Sequence, residues 1–330
     1  MIARLASLAF VPLAAVALAT FIGGTALDPR AVLAALAHPQ AGNDDTLIVW
    51  ALRLPRACIA ASVGGALAAA GFLLQGMLRN PLVDPFLTGV SAGAGAAIAF
   101  GIAFGLAGPW LPPLGFAAGI ATALLVAVLA RRGSGVDAER LILAGVSLSA
   151  LFSALIALAL GTIARGGSDA VLAWLSGSLA GRGWAELAWT APYLIAGALL
   201  AAACVPALNA LRLGAQIAAS VGVDVARTQW ILLAAATLLT AGAVALAGIV
   251  GFVGLIVPHL ARKLVGSDAR AALPASVLLG AGLVPVADTL GRTLAPPLDI
   301  PLGVVLAFVG VPTFLYLYLR RPSEARLWGT

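Results

Sequence analysis

The sequence predicts an all-α polytopic membrane protein, and three observations carry that prediction. Hydrophobic residues make up 62% of the 330 positions while charged residues make up only 10%, against roughly a quarter in a soluble domain. Mean hydropathy is +1.07, and several apolar runs reach the ~20 residues that a helix needs to cross a bilayer. The runs are continuous and rich in Ala and Leu, unlike the short alternating strands of a membrane barrel. The 38 Gly suit close helix packing in lipid, where small residues let backbones approach.

Taken in order, the apolar runs place about ten spans at 5–26, 57–78, 86–107, 111–130, 141–164, 187–208, 229–247, 248–262, 271–290 and 300–319. The first follows Arg4 and could be a signal peptide; the many similar runs after it favour a retained span. The seventh and eighth need an argument, because Ile231 to Leu260 contains no Asp, Glu, Lys or Arg. As one helix it would be about 45 Å long, too long for a hydrocarbon core of about 30 Å. Gly242, Gly248, Gly251, Gly254 and Pro258 offer places to turn. Gly251 and Gly254 are three apart, a spacing that puts small residues on one helix face.

Charge counting favours two crossings. The inner side then holds Arg4, Arg79, Arg131, Arg132, Arg140, Arg212, Arg227, Arg262, Lys263, Arg270, Arg320, Arg321 and Arg326, which is 13 of the 19 basic residues. A single crossing would leave 8 of the 19 inside, against the positive-inside rule. Both termini are therefore expected in the cytoplasm. The outer segment 165–186 carries Trp174 and Trp184 and reads either as an interfacial helix or as a loop.

The net charge of +6 comes from basic residues at the ends of apolar runs, so it predicts no nucleic-acid partner. Cys58 and Cys204 lie in apolar runs and read as small buried hydrophobes. Lys263, the one lysine, is followed by Leu264, which excludes the Gly-x-x-x-x-Gly-Lys-Ser/Thr phosphate loop. His38 and His259 stand far apart and belong to no metal-ligand cluster. No catalytic set and no bound cofactor is expected. Asp288 and Arg292, four apart on one helix face, read as a structural ion pair. Such scarce intramembrane charge weakens, without removing, an ion-gradient-driven secondary transporter as the alternative function.

A set of motifs runs through the chain in order: Arg53-Leu54-Pro55-Arg56; Gly64-Gly65-Ala66 with Gly71 and Gln75; Arg79-Asn80-Pro81-Leu82-Val83-Asp84-Pro85; Trp174-Leu175-Ser176-Gly177-Ser178; Ser220-Val221-Gly222; Gly251 to His259; Asp288 with Arg292; and Pro301-Leu302-Gly303. Together they resemble the permease subunit of type II ABC importers, the family that takes up iron–siderophore complexes, haem and vitamin B12. The resemblance covers about residues 50 to 320. One departure is Asp299 in Leu298-Asp299-Ile300-Pro301, where the family often has Glu.

The resemblance implies a vitamin B12 importer permease-like fold and a single transmembrane permease domain over 1–330. The partners it implies are a second copy of the chain, two cytoplasmic ATPase subunits that hold ATP and Mg, and a periplasmic substrate-binding protein, in a bacterial inner membrane. The cargo would be a metal chelate, an iron–siderophore by family frequency, with haem and vitamin B12 left open. The segment 212–222 would couple to the ATPase through Leu213, Gly214, Gln216, Ile217, Ser220, Val221 and Gly222. Its Leu213, Ile217 and Val221 fall at i, i+4 and i+8, one stripe on a short helix. Arg53, Arg56 and Arg292 would dock the binding protein. Asn80 and Leu82 are gate candidates, or members of a plain turn. Gln75, polar within an apolar run, either lines the translocation path or bonds a neighbouring helix.

Overall fold

The computed structural model describes residues 2–40, 42–106, 108–162, 165–295 and 298–319. The tail with Arg320, Arg321 and Arg326, which entered the charge count, lies outside the described residues.

The described residues are mostly helical. In order they form α1 (Ile2–Phe21), α2 (Pro29–Ala37), α3 (Asp44–Leu47), a π-turn at Ile48–Arg53, α4 (Leu54–Met77), α5 (Val90–Ala103), α6 (Leu111–Leu129) and α7 (Ala138–Thr162). They continue through α8 (Arg165–Leu175), α9 (Trp184–Ala203), α10 (Val205–Arg212), α11 (Ala215–Ser220), α12 (Val225–Ala247), α13 (Val253–Val265), α14 (Ala269–Thr293) and α15 (Leu302–Leu319). A two-residue hairpin, Arg131–Arg132 with Gly135–Val136, joins α6 to α7.

Seven stretches, those of α1, α4, α6, α7, α9, α12 and α14, are long and apolar enough to cross a membrane. With the shorter α5, α13 and α15, each of the ten expected spans has its helix. Several boundaries move. The third span begins only at Val90, because Gly89 sits at φ 73° between a 3-10 turn at Pro85–Thr88 and α5. The sixth divides into α9 and α10 at Cys204. The segment 165–186 forms helix α8 and a loop after it, with Trp174 buried in the bundle and Trp184 exposed.

Burial sorts the helices into a centre and a perimeter. In α4 83% of the apolar window is buried, against 17% in α1, α7 and α9. Small residues make this packing possible. A Cβ on Gly64 would run into the Gly280 carbonyl of α14, and one on Gly71 would meet the Gly254 backbone of α13. No larger residue fits there while the backbones stay in contact. Acidic residues serve the helix ends: Asp28, Asp224 and Asp268 accept from backbone N–H groups at the starts of α2, α12 and α14, as N-caps do.

The long uncharged run reverses at 248–252. Gly248 (φ 69°) and Phe252 (φ 67°) both take left-handed conformations there, and α13 runs back toward the end where α12 began. Gly251 therefore lies outside the helix, and only Gly254 packs as a helical glycine, against Pro85 and the Leu67 carbonyl. Backbone groups freed by the break need partners inside a membrane. Ser178 N donates to Ala247 O at 2.9 Å, Ile249 N to Trp174 O at 3.4 Å, and Gly303 N to Ser176 O at 3.1 Å. Three motifs distant in sequence, at 174–178, 248–252 and 301–303, thus meet at one non-helical junction.

Candidate functional site

Two polar clusters stand at opposite ends of the bundle. At one end the π-turn brings Arg53 and Arg56 to the start of α4. Arg53 is only 4% exposed. Its guanidinium turns inward and donates to the carbonyls of Thr20 (3.1 Å), Phe21 (2.9 Å) and Thr25 (2.5 Å). It therefore closes the unsatisfied C-terminal carbonyls of α1, which leaves this sequence-proposed docking residue facing the protein and not the surface.

Arg56 and Arg292 share Asp288. Arg56 Nε reaches both Asp288 oxygens at 3.0–3.1 Å and Nη2 reaches Oδ1 at 2.8 Å. Arg292 Nε lies 3.1 Å from Asp288 Oδ2, while its Nη2 donates to Ala19 O at 3.2 Å and to Thr289 Oγ1. Asp299, from the linker before α15, reaches the other edge of Arg56 at 3.0–3.3 Å. A cleft of about 360 Å³ opens beside these groups, lined by Thr25, Leu52, Arg53, Arg56, Arg292 and Asp299 among others. The pairing of Arg56 with Asp288 and Asp299 spans 232 and 243 residues, and no local spacing signals it.

At the other end Gln75 is fully enclosed. Its Nε2 donates to the carbonyls of Gly254 (3.0 Å), Val83 (3.2 Å) and Leu255 (3.3 Å), and its Oε1 accepts from Arg262 Nη2 at 2.7 Å. Of its two readings, the bond to neighbouring elements is the one observed. Gln75 does not line an open path within this protomer. Asn80 Oδ1 accepts from Leu82 N at 2.9 Å, so the residue caps its own turn, and Leu82 projects outward. Asp84 caps the next turn through Phe86 N.

The segment 212–222 lies at this second end. Its helix is shorter than the stripe implies: only Ile217 sits within α11, while Leu213 and Val221 flank it. All three side chains are nonetheless exposed, at 66%, 49% and 66% for Leu213, Ile217 and Val221. Gln216, Ser220 and Gly222 are exposed with them, and Gly214 is buried. Gly214 and Gly222 supply the positive φ angles of 121° and 86° that let the chain turn into and out of this short element. Ala218 is buried beneath. Asn209 bridges to Asp268 Oδ1 at 2.8 Å and accepts from Ala269 N, and Arg212 donates to the Ser267 carbonyl. Bonds from Arg270 N–H and Asn209 hold the Asp268 carboxyl below the usual carboxylate range. The segment is thus an apolar knuckle pinned to the start of α14.

Among the described residues, seven long apolar helices and three shorter ones pack around an enclosed α4, with an exposed apolar knuckle at one end and an arginine cluster at the other. Residues 11–320 match the FecCD transport family, and the chain belongs to it. It is 36% identical over 300 residues to the Fe(3+)-citrate import system permease protein YfmE of Bacillus subtilis, covering 90% of this chain and 88% of that protein. It is 37% identical to the hemin transport system permease protein HmuU of Yersinia pestis, covering 86% of each. It is 36% identical to the cobalamin import system permease protein BtuC of Halobacterium salinarum, covering 90% of this chain and 80% of that one. Among solved structures, an ABC transporter chain described as of the metal-chelate type, in an inward-facing conformation, superposes with a TM-score of 0.87. Identity is 30%, covering 97% of this chain and all of that one.

Proposed function

We propose that this chain is the permease subunit of an ATP-driven importer that carries a metal chelate across a bacterial inner membrane, an iron–siderophore complex first, with haem and vitamin B12 as the other cargoes of its relatives. The observation that carries this reading is the family match over residues 11–320 together with relatives that carry iron citrate, hemin and cobalamin. The chain has no phosphate loop, so ATP and Mg would be held by a separate cytoplasmic ATPase.

The working assembly in this reading is two copies of the chain, two ATPase subunits and a periplasmic binding protein. The exposed knuckle Leu213, Ile217 and Val221 would seat in the ATPase, because an apolar stripe on an otherwise polar end needs a partner to cover it. Asn80 and Leu82 would form the gate near that end. Arg56 and Arg292 would meet carboxylates of the binding protein at the opposite end, with Arg53 supporting them from within. Both termini would be cytoplasmic: Arg4 donates to Leu264 O at 3.1 Å, which puts the start of the chain beside Arg262, Lys263 and the knuckle, the basic end expected inside.

Co-expression with a neighbouring ATPase gene tests the assembly. Purification should yield permease and ATPase in equal numbers, with a mass fitting two of each. Recovery of the permease alone under conditions that keep both soluble would count against it. For orientation, a cysteine at Ser267, in a chain whose Cys58 and Cys204 are replaced by Ser, should be labelled from the cytoplasm; labelling from the periplasm only would reverse it.

A further inference from the structure

Arg56 is held along two edges by two acids of different character. A guanidinium presents five N–H donors in one plane. The Nε and Nη2 edge is given to Asp288, with contacts of 2.8–3.1 Å. The Nη1 and Nη2 fork is given to Asp299, with contacts of 3.0–3.3 Å. That leaves a single Nη1 hydrogen without a carboxylate.

The two acids are not equally able to leave. Asp288 is 3% exposed and also faces Arg292 at 3.1 Å, so releasing it would strand a buried charge. Asp299 is 39% exposed and sits on a linker at the mouth of the cleft that contains Arg56 and Arg292. The Nη1 and Nη2 edge, which can take a carboxylate through two N–H donors, is therefore occupied by the acid that can move into water. An incoming carboxylate cannot share the fork with Asp299 without like-charge repulsion.

We propose that Asp299 is a built-in competitor for the Arg56 fork, so that a docking protein must exchange its own carboxylate for Asp299, and that this exchange sets both the strength and the selectivity of docking. The proposal rests on the reading that Arg56 receives the binding protein. Exchange replaces one ion pair by another, so Asp299 takes back part of the affinity that Arg56 would otherwise give, and Arg56 keeps the remainder. A neutral partner group cannot match what Asp299 already supplies, and is refused.

The test uses the permease–ATPase complex in lipid nanodiscs and its cognate binding protein, with Kd measured at several salt concentrations for Asp299→Asn, Asp299→Ala, Arg56→Gln and the Asp299→Asn/Arg56→Gln pair. Either change at Asp299 should tighten docking about 3- to 10-fold, the range of a half-exposed to charge-assisted pair. Arg56→Gln should weaken it, and in that background Asp299→Asn should move Kd by less than about twofold, as two coupled sites require. If Arg56→Gln weakens docking while both Asp299 changes leave it unaltered or weaker, Asp299 is no competitor and only this inference falls. If Arg56→Gln docks as tightly as the parent, the docking reading itself is wrong and the inference falls with it.

Discussion

Arg262 donates to the side-chain oxygen of Gln75 at 2.7 Å across 187 residues of sequence, and the amide nitrogen of the same Gln75 reaches the Val83 carbonyl before α5 and the Gly254 and Leu255 carbonyls in the first turn of α13. One enclosed amide thus joins the end of α4, the turn that carries Asn80 and Leu82, and the start of α13.

Replacing Gln75 by Ala removes a donor and an acceptor at once. Gly254, Val83 and Leu255 would lose the amide donor and Arg262 an acceptor, in a junction that is buried at Val83 and Gly254 and half-buried at Leu255 and Arg262. Leaving buried partners unsatisfied costs about 1–3 kcal/mol, more where a charge is involved. The purified variant should lose about 2–4 kcal/mol of stability and melt at a lower temperature. Gln75→Glu should not rescue it, because the carboxylate supplies no donor to those carbonyls. Unaltered melting of Gln75→Ala would mean the junction does not hold the ends together.

The contact of α4 with α14 allows a second test. Gly64 and Gly280 meet backbone to backbone, so Gly64→Val or Gly280→Val must push the helices apart. Overpacking of this kind costs about 3 kcal/mol or more against a carbonyl that cannot rotate away. Gly42 meets nothing within 4 Å of an added Cβ but has φ 84°, whereas Gly161 is open and carries no such strain. Gly161→Ala should therefore be silent in detergent melting curves while both Val variants fail to give a monodisperse protein. Normal folding of Gly64→Val would refute the close approach.

Asp84 gives a dependence on pH. Its Oδ1 accepts from Phe86 N at 2.9 Å, while its Oδ2 is enclosed and has no hydrogen-bond partner among the described residues. Burial pushes the carboxyl up from 3.8 to about 6, against the opposing pull of backbone N–H groups. An acid whose folded pKa lies above its unfolded value binds its proton more tightly when folded. Its contribution is fully present below about pH 4 and is lost as pH rises through about 6. The shift corresponds to about 3 kcal/mol. Relative to Asp84→Asn, the parent should gain stability as pH falls from about 7 to 4. A difference between the two that stays flat over that window would contradict the buried, protonatable acid.

The knuckle at 213–221 makes a functional prediction. Ile217→Asp puts a charge on its exposed centre, and Gln216→Glu puts one beside it. Neither side chain supports the fold, so both variants should melt like the parent within about 0.5 kcal/mol. Both should lose transport-coupled ATP hydrolysis, Ile217→Asp by about tenfold or more. Normal coupled transport in both variants would remove this segment from the contact with the ATPase.

Much of this architecture was legible in the sequence because the bilayer imposes it. Apolar length set the helices, and the positive-inside count divided Ile231 to Leu260 into two crossings, which the reversal at Gly248 and Phe252 matches. The sites were less legible. Arg53 carries the same basic head as Arg56, yet it is turned inward onto Thr20 and Thr25, because the π-turn rotates it toward the carbonyl end of α1. Gln75 read equally as a path residue or a helix bond, and only its enclosure decides between them. Asp299 stood out in the sequence as a shortened acid, but its partner is 243 residues away. Contacts of that kind follow from helix packing, which periodicity within one helix does not encode.

In the proposed function this chain moves its cargo on the energy of a partner's ATP hydrolysis. The direct measurement is uptake of a labelled ferric siderophore, haem or vitamin B12 into proteoliposomes that hold the permease–ATPase complex. We predict accumulation that requires ATP, Mg and the binding protein together, and that persists when a protonophore and a sodium ionophore collapse the ion gradients. Uptake that proceeds without the ATPase and stops when the gradients are collapsed would contradict the account and identify a secondary transporter.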